Sequence, residues 1–232
     1  MPDIAERIKN VLTRIRTAER EYHRPPQSVA LLAVSKTQPV AAIETAIAAG
    51  LHRFGENYLQ EALDKMAALE GYSQLEWHFI GPIQSNKTRR IAEHFSWVHS
   101  VDRLKIAERL SEQRPDSLPP LNICLQVNIS AEASKSGLTL NELPAVARQV
   151  AELPRLRLRD LMAMPAPAEH FEAQRQPLAR LGKAQQQLND QGLALDTLSM
   201  GMSDDLEAAI AEGSTLVRIG TALFGPRQPT GS

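Results

Sequence analysis

LLAVSKTQP (residues 31–39) is an apolar run that ends in a serine and a lone lysine and breaks at Pro39. Residues 29–34 have the length and flanking breakers of a buried strand. Working outward from it, apolar runs recur between helical stretches. They are VALLAVS (29–35), LHRFGEN (51–57), LEWHFIG (75–81), SWVHSVD (96–102), LNICLQVNI (121–129), LRLRDLMAM (156–164), ALDTLSM (194–200) and TLVRIG (215–220). Strands alternating with helices imply parallel βαβ units, and about eight of them are what a single (β/α)8 barrel of the TIM type requires. The competing open, doubly wound sheet would carry a glycine-rich turn after its first strand. LLAVSKTQP contains no glycine, so the barrel is the expected α/β fold.

Several helical stretches stop at a glycine, namely Gly50, Gly71, Gly192 and Gly213, as helix C-termini commonly do. Ahead of the first strand, IAERIKNVLTRIRTAEREY (4–22) sets Ile4, Ile8, Val11, Leu12 and Ile15 on one helical face. That is an extra N-terminal amphipathic helix packing on something larger. No long linker or domain-scale repeat interrupts the chain. One barrel domain over 1–232 is expected, with a frayed tail over about 228–232.

With 43% hydrophobic and 23% charged residues, the 232-residue chain can build a sizeable core. A net charge of −1 gives no bulk electrostatic case for nucleic acid or a membrane surface. No apolar run reaches the ~18 residues of a membrane span. MPDIAERIKN is charged from the start and has no signal-peptide core. A cytoplasmic location is the expectation. The single cysteine, Cys124, lies inside an apolar run and reads as a buried small hydrophobe. His52, His78, His94 and His99 have no metal-ligand spacing with acidic partners, so no metal is expected.

In a barrel the C-terminal strand ends form the active face. There the sequence places Lys36, then Glu56 and Asn57, then His78 with Gln84, Ser85, Asn86 and Lys87, then Asn128 with Glu132 and Lys135. The basic cluster NKTRR (86–90) reads as a solvated helix face. Strands 7 and 8 carry a sharper signal, because barrels often bind phosphate with the loops after these two. SMGMSDD offers the hydroxyls of Ser199 and Ser203 with Gly201 just before a helix, and RIGTALFG offers Gly220 and Thr221 in the matching place. Taken alone, either loop could be no more than a helix N-cap at Ser203 or Asp204. Arg218 alternates with Val217 and Ile219, so on a strand covered on both faces it needs a partner in the core or a ligand.

A lysine at a barrel strand end, desolvated by its neighbours, can serve as a Schiff-base nucleophile. Facing a phosphate site, Lys36 suggests an aldehyde with a phosphate handle. Pyridoxal 5′-phosphate and a phosphorylated sugar held by an aldolase both meet that description, and a non-covalent lysine remains a third reading.

LLAVSKT, FGENYLQE, EWHFIGPIQSNK, NISAEASKSGL, LMAMPAP and LSMGMSDDLEAAIAEGSTLVRIGTALFG, in this order, resemble the pyridoxal phosphate homeostasis protein family, the YggS-like or PROSC-like proteins. The resemblance runs from about residue 4 to about residue 227. It implies a barrel related to the N-terminal domain of fold-type III alanine racemases. It implies a Schiff base between Lys36 and pyridoxal phosphate, with Ser199, Gly201, Ser203, Gly220 and Thr221 around the phosphate. It also implies that Asn57 and Met164 lie near the ring and Arg218 faces the pyridine nitrogen. Lys135, with Glu132 in the same loop, is implied as a second amine for cofactor capture or release. Position 38 is Gln, where some relatives carry a basic residue.

A pyridoxal enzyme uses the ring as an electron sink, helped by an acid that keeps the pyridine nitrogen protonated. A cationic Arg218 there would disfavour that proton. Racemases of this fold take a second base, a tyrosine, from a further β-domain. This chain ends about ten residues after its last expected strand, and its three tyrosines fall in helices or their loops. The resemblance therefore implies a monomeric, non-catalytic carrier that buffers pyridoxal phosphate and delivers it to apo-enzymes. An amino-acid racemase is the alternative, and a Schiff-base aldolase a lesser one.

Overall fold

The computed structural model describes residues 3–130, 132 and 135–225. The expected tail over 228–232 lies outside them. Eight parallel strands close into a barrel in the order β1 to β8, each hydrogen-bonded to the next and β8 to β1. They are β1 (Ala30–Val34), β2 (Arg53–Glu56), β3 (Glu76–Phe79), β4 (Trp97–Val101), β5 (Leu121–Gln126), β6 (Leu156–Met162), β7 (Thr197–Ser199) and β8 (Leu216–Ile219). Each coincides with one of the eight apolar runs in the sequence. A (β/α)8 barrel is thus the fold.

The helices are α1 (Ile4–Glu21), α2 (Val40–Ala48), α3 (Leu59–Ala68), α4 (Thr88–His94), α5 (Leu104–Gln113), α6 (Leu143–Ala151), α7 (Phe171–Asp190), α8 (Leu206–Ala211) and α9 (Thr221–Phe224). None of those described is long and apolar enough to cross a membrane. The extra helix α1 starts at Asp3, whose carboxylate accepts from the Glu6 N–H at 2.8 Å. Its buried stripe of Ile8, Val11, Ile15 and Ala18 packs against α8 and α9. Three of the four helix-ending glycines have the left-handed backbone that stops a helix, at Gly50, Gly192 and Gly213; Gly71 does not. Helix α3 has already ended at Ala68 with Leu69 as its cap, so Gly71 belongs to the following turn.

Alternation along each strand divides the side chains into two layers. Leu31, Ala33, Phe54, Phe79, Val98, Ile123, Leu125, Leu161, Leu198, Val217 and Ile219 point outward and join the helices in one apolar core. Each of the larger ones is worth roughly 1.5–3 kcal/mol on burial, so this outer layer is a main source of stability. The inward layer is different. Alongside Leu32, Leu216 and the small cluster Trp97, Cys124 and Met162 it holds His78, His99, Asp160, Ser199 and Arg218. Barrel interiors are ordinarily filled by branched aliphatics. Five buried polar side chains in one interior must satisfy one another.

Candidate functional site

Five neighbouring staves, β6, β7, β8, β1 and β2, carry all nine residues expected around a cofactor, at or just beyond their C-terminal ends. Met164 stands two residues past β6 and is exposed. Ser199 ends β7, and Gly201 and Ser203 follow it. Arg218 lies within β8, with Gly220 capping α9 and Thr221 as its first residue. Lys36 comes two residues after β1, and Asn57 directly after β2.

The turn bearing Lys36 is tied down on both sides. The Ser35 N–H continues the sheet ladder to the Gly55 carbonyl at 3.0 Å. Its hydroxyl donates to Glu56 Oε1 at 2.5 Å, and its carbonyl accepts from Lys65 Nζ at 2.7 Å. Lys65, on α3, also bridges Glu56 at 2.8 Å and Glu61 at 2.6 Å. Glu61 in turn accepts the Thr37 N–H at 2.6 Å. Thr37 has a left-handed backbone, φ 61°. Ser35 is buried against α3, and Lys36, partly buried, is the first residue of the turn that follows. Burial pushes the Glu56 carboxyl up, with the Lys65 charge opposing it. Glu56 Oε2 and Asn57 Oδ1 are buried with no hydrogen-bond partner among the described residues. Such an orphan beside an open mouth marks a place for a further partner.

Across the rim, Gly201 has φ +100°, and a Cβ there would stand 2.6 Å from Ala209 Cβ and 3.2 Å from Val217 Cγ1. Only glycine fits this turn between β7 and α8. Asp205 occupies the N-cap position of α8, but its carboxylate makes no capping bond and instead accepts the N–H of Met202 in the preceding turn, at 2.6 Å. Neither Ser203 nor Asp204 is therefore the cap. The Ser203 carbonyl accepts from Arg14 of α1 at 3.1 Å.

Ser199, expected near a phosphate, has interior partners. Its hydroxyl is fully buried and faces the interior, 2.8 Å from His99 Nδ1 and 2.6 Å from Arg218 Nη1. Arg218 also donates to the carbonyls of Ser199 at 2.6 Å and Ala163 at 3.0 Å. A core partner was one reading of Arg218. The partners are neutral oxygens rather than a carboxylate. Beyond His99, the chain continues through His78 to Glu76 and Arg53. Burial holds both histidines below their usual range, His99 well below.

Asp160 lies under the same floor. One oxygen accepts the Ser199 N–H at 2.9 Å, the other has no hydrogen-bond partner among the described residues, and burial raises its carboxyl to about 7. His99, Cys124 and Asp160 bring three ligand atoms within 4.8 Å of one another. Strand neighbours supply this cluster, which linear spacing does not reveal. Both nitrogens of His99 already face hydrogen-bond partners, and the Arg218 guanidinium opposes a second cation nearby.

Glu132 and Lys135 lie on the next loop, after β5. Their side chains pair with each other at 2.8 Å. Asn128 gathers the loop by donating to the carbonyls of Glu132 at 2.8 Å and Lys135 at 3.1 Å. Of the basic cluster after β3, Lys87, Arg89 and Arg90 are exposed while Thr88 is buried. Sequence reading missed Lys65 and Asp160. Both sit at interior or helix-covered positions of otherwise apolar segments, which was the available signal.

Three comparisons bear on this arrangement. Residues 8–228 match the family model described as alanine racemase, N-terminal domain. A pyridoxal phosphate homeostasis protein of Pseudomonas aeruginosa is 65% identical over 227 residues, covering 98% of this chain and 97% of its own. The solved structure of PipY from Synechococcus elongatus with PLP bound is 38% identical, with a TM-score of 0.84, covering 96% of this chain and all of that one. Alanine racemase from Corynebacterium glutamicum is similar in fold alone, at 17% identity and a TM-score of 0.70, with 62% of its length covered.

Proposed function

Because the chain belongs to the pyridoxal phosphate homeostasis proteins, within the alanine racemase N-terminal domain family, we propose that it binds pyridoxal 5′-phosphate on Lys36, buffers it and delivers it to apo-enzymes without substantial turnover. One observation carries the reading. The turn bearing Lys36 is fixed on β1 of the same barrel in which PipY has PLP bound.

The residues fit the group. At Gly201 a Cβ would strike Ala209 and Val217, so only glycine makes the left-handed turn by which the phosphate-side loop leaves β7 for α8. Asn57 has a carboxamide oxygen that meets no partner among the described residues and can accept from the ring's polar substituents. When bound, the cofactor supplies an aldehyde that condenses with a primary amine and a ring that can draw electrons from an adjacent carbon. The rest belongs to the chain. Lys36 offers the amine, and the ties on Ser35 and Thr37 hold the turn that carries it. Gly201, Ser203, Gly220 and Thr221 offer backbone and hydroxyl groups to the phosphate, and Arg218 turns donors to the ring nitrogen. Met164 covers the ring edge. Lys135, with Glu132, takes part in capture or release.

The test is the absorption spectrum of the purified protein loaded with pyridoxal phosphate. The expected result is visible absorbance that Lys36→Ala abolishes, together with transfer to an apo-enzyme. Loading without Lys36-dependent absorbance would overturn the assignment. Amino-acid racemisation that survives stringent purification would overturn the non-catalytic role.

A further inference from the structure

We propose that His99 and His78 are positioning residues for Arg218, acting through a one-directional chain of hydrogen bonds that crosses the barrel interior from Arg218 to Glu76. The inference rests on the reading above for what Arg218 faces, but not for the chain itself.

The direction follows from the two ends. A guanidinium can only donate and an ionised carboxylate can only accept. Arg218 Nη1 lies 2.6 Å from Ser199 Oγ, so that oxygen accepts and its proton must go elsewhere. The neighbour within reach is His99 Nδ1 at 2.8 Å, which is therefore bare. His99 then carries its proton on Nε2, 2.8 Å from His78 Nδ1. His78 likewise carries its proton on Nε2 and gives it to Glu76 Oε1 at 2.9 Å. Reading back from Glu76 gives the same assignment. Any other tautomer puts two donors or two acceptors face to face among fully buried groups, at a cost of about 1–3 kcal/mol for each mismatch.

Both rings are neutral in this scheme, in keeping with their burial. Trp97 fixes the plane of His78, stacking on it at 5.4 Å and 7°. Glu76 opens β3, and Arg53, which donates to it at 3.1 Å, opens β2, so the chain ends at the face of the barrel opposite the mouth. Arg218 has no ion pair within 4 Å among the described residues. Its orientation is set instead by the Ser199 and Ala163 oxygens, and the Ser199 hydroxyl is set by the two histidines. A half-exposed carboxylate on the far face thereby determines how a guanidinium is presented at the mouth.

The experiment pairs imidazole ¹⁵N chemical shifts of the full-length protein with pyridoxal phosphate titrations of Glu76→Gln, Glu76→Leu and His78→Leu. Both histidines should show the Nε2–H tautomer before cofactor is added. Glu76→Gln keeps an accepting oxygen and should keep both tautomers and the parent affinity. Glu76→Leu and His78→Leu should weaken binding about tenfold and shift the Lys36-dependent absorption maximum. An Nδ1–H tautomer at either histidine in the parent would overturn the proposal, as would parent-like affinity and spectrum in Glu76→Leu. Should His78→Leu not fold, the parent tautomers and the two Glu76 variants decide the matter. Absence of any Lys36-dependent absorbance in the parent would instead overturn the cofactor reading, while the nitrogen shifts still decide the chain.

Discussion

Lys65 Nζ lies 2.7 Å from the carbonyl oxygen of Ser35, so a buried ammonium on α3 grips the residue just before Lys36. The same ammonium is the counter-charge of Glu56, which has no exposed surface. Lys65→Met should lower stability by about 3 kcal/mol in denaturant unfolding, because it leaves a buried carboxylate unpaired. Adding Glu56→Gln should recover more than half of that loss, since the stranded charge goes with it. Independent, additive losses would show that the two groups do not work as a pair.

Thr37, on the other side of Lys36, holds a left-handed backbone that suits no β-branched residue. Its N–H is used by Glu61, but its side chain is exposed. Thr37→Asn should raise stability by about 0.5–1 kcal/mol, because asparagine tolerates this region while the N–H bond is kept. A lower melting temperature would show that the threonine side chain matters in a way the geometry does not reveal.

Gly201 and Gly192 have nearly the same φ, +100° and +97°, but a Cβ at Gly192 meets nothing within 4 Å. Gly192→Ala should therefore cost only backbone strain, about 1 kcal/mol. Gly201→Ala adds a clash against Ala209 and should cost about 2 kcal/mol more. It should also weaken pyridoxal phosphate binding, measured by titration. Equal costs at the two sites would count against the tight turn after β7.

Asp160 gives a pH signature. Its carboxyl is raised to about 7 in the fold, against an unfolded value of ~3.9. Between those values the folded protein holds a proton that the unfolded chain has lost. The group's contribution is thus most favourable below about pH 4 and is lost as the pH rises toward 7. Asp160→Asn should flatten the stability profile across that window and bring its largest relative gain near neutral pH. An unchanged slope would show that Asp160 is ionised in the fold throughout.

The architecture was legible because each strand of a closed parallel barrel is buried on both faces and reads as an apolar run. All eight runs became strands for that reason, and the lysine closing the first of them was visible as an interruption. The interior chain was not legible. His78 and His99 are 21 positions apart and meet only because β3 pairs with β4, with His78 beside Trp97. Register between strands has no marker in the linear sequence. Ser199 was noticed for its hydroxyl and Arg218 for its charge, yet what they meet is each other. In the sequence Lys65 is one of several charges in a helical stretch. Only the packing of α3 over β1 and β2 shows that it is buried.

Cys124 completes the inward layer, fully enclosed, with burial holding its thiol well above the usual range. Thiolates add to aldehydes as amines do, and a thiol reacts in proportion to its thiolate and its access. Being the one cysteine in the chain, Cys124 has neither. The proposed capture of a reactive aldehyde thus meets no competing thiol in this chain. The chemoselectivity of capture is secured by where the thiol is kept as much as by where the amine is offered.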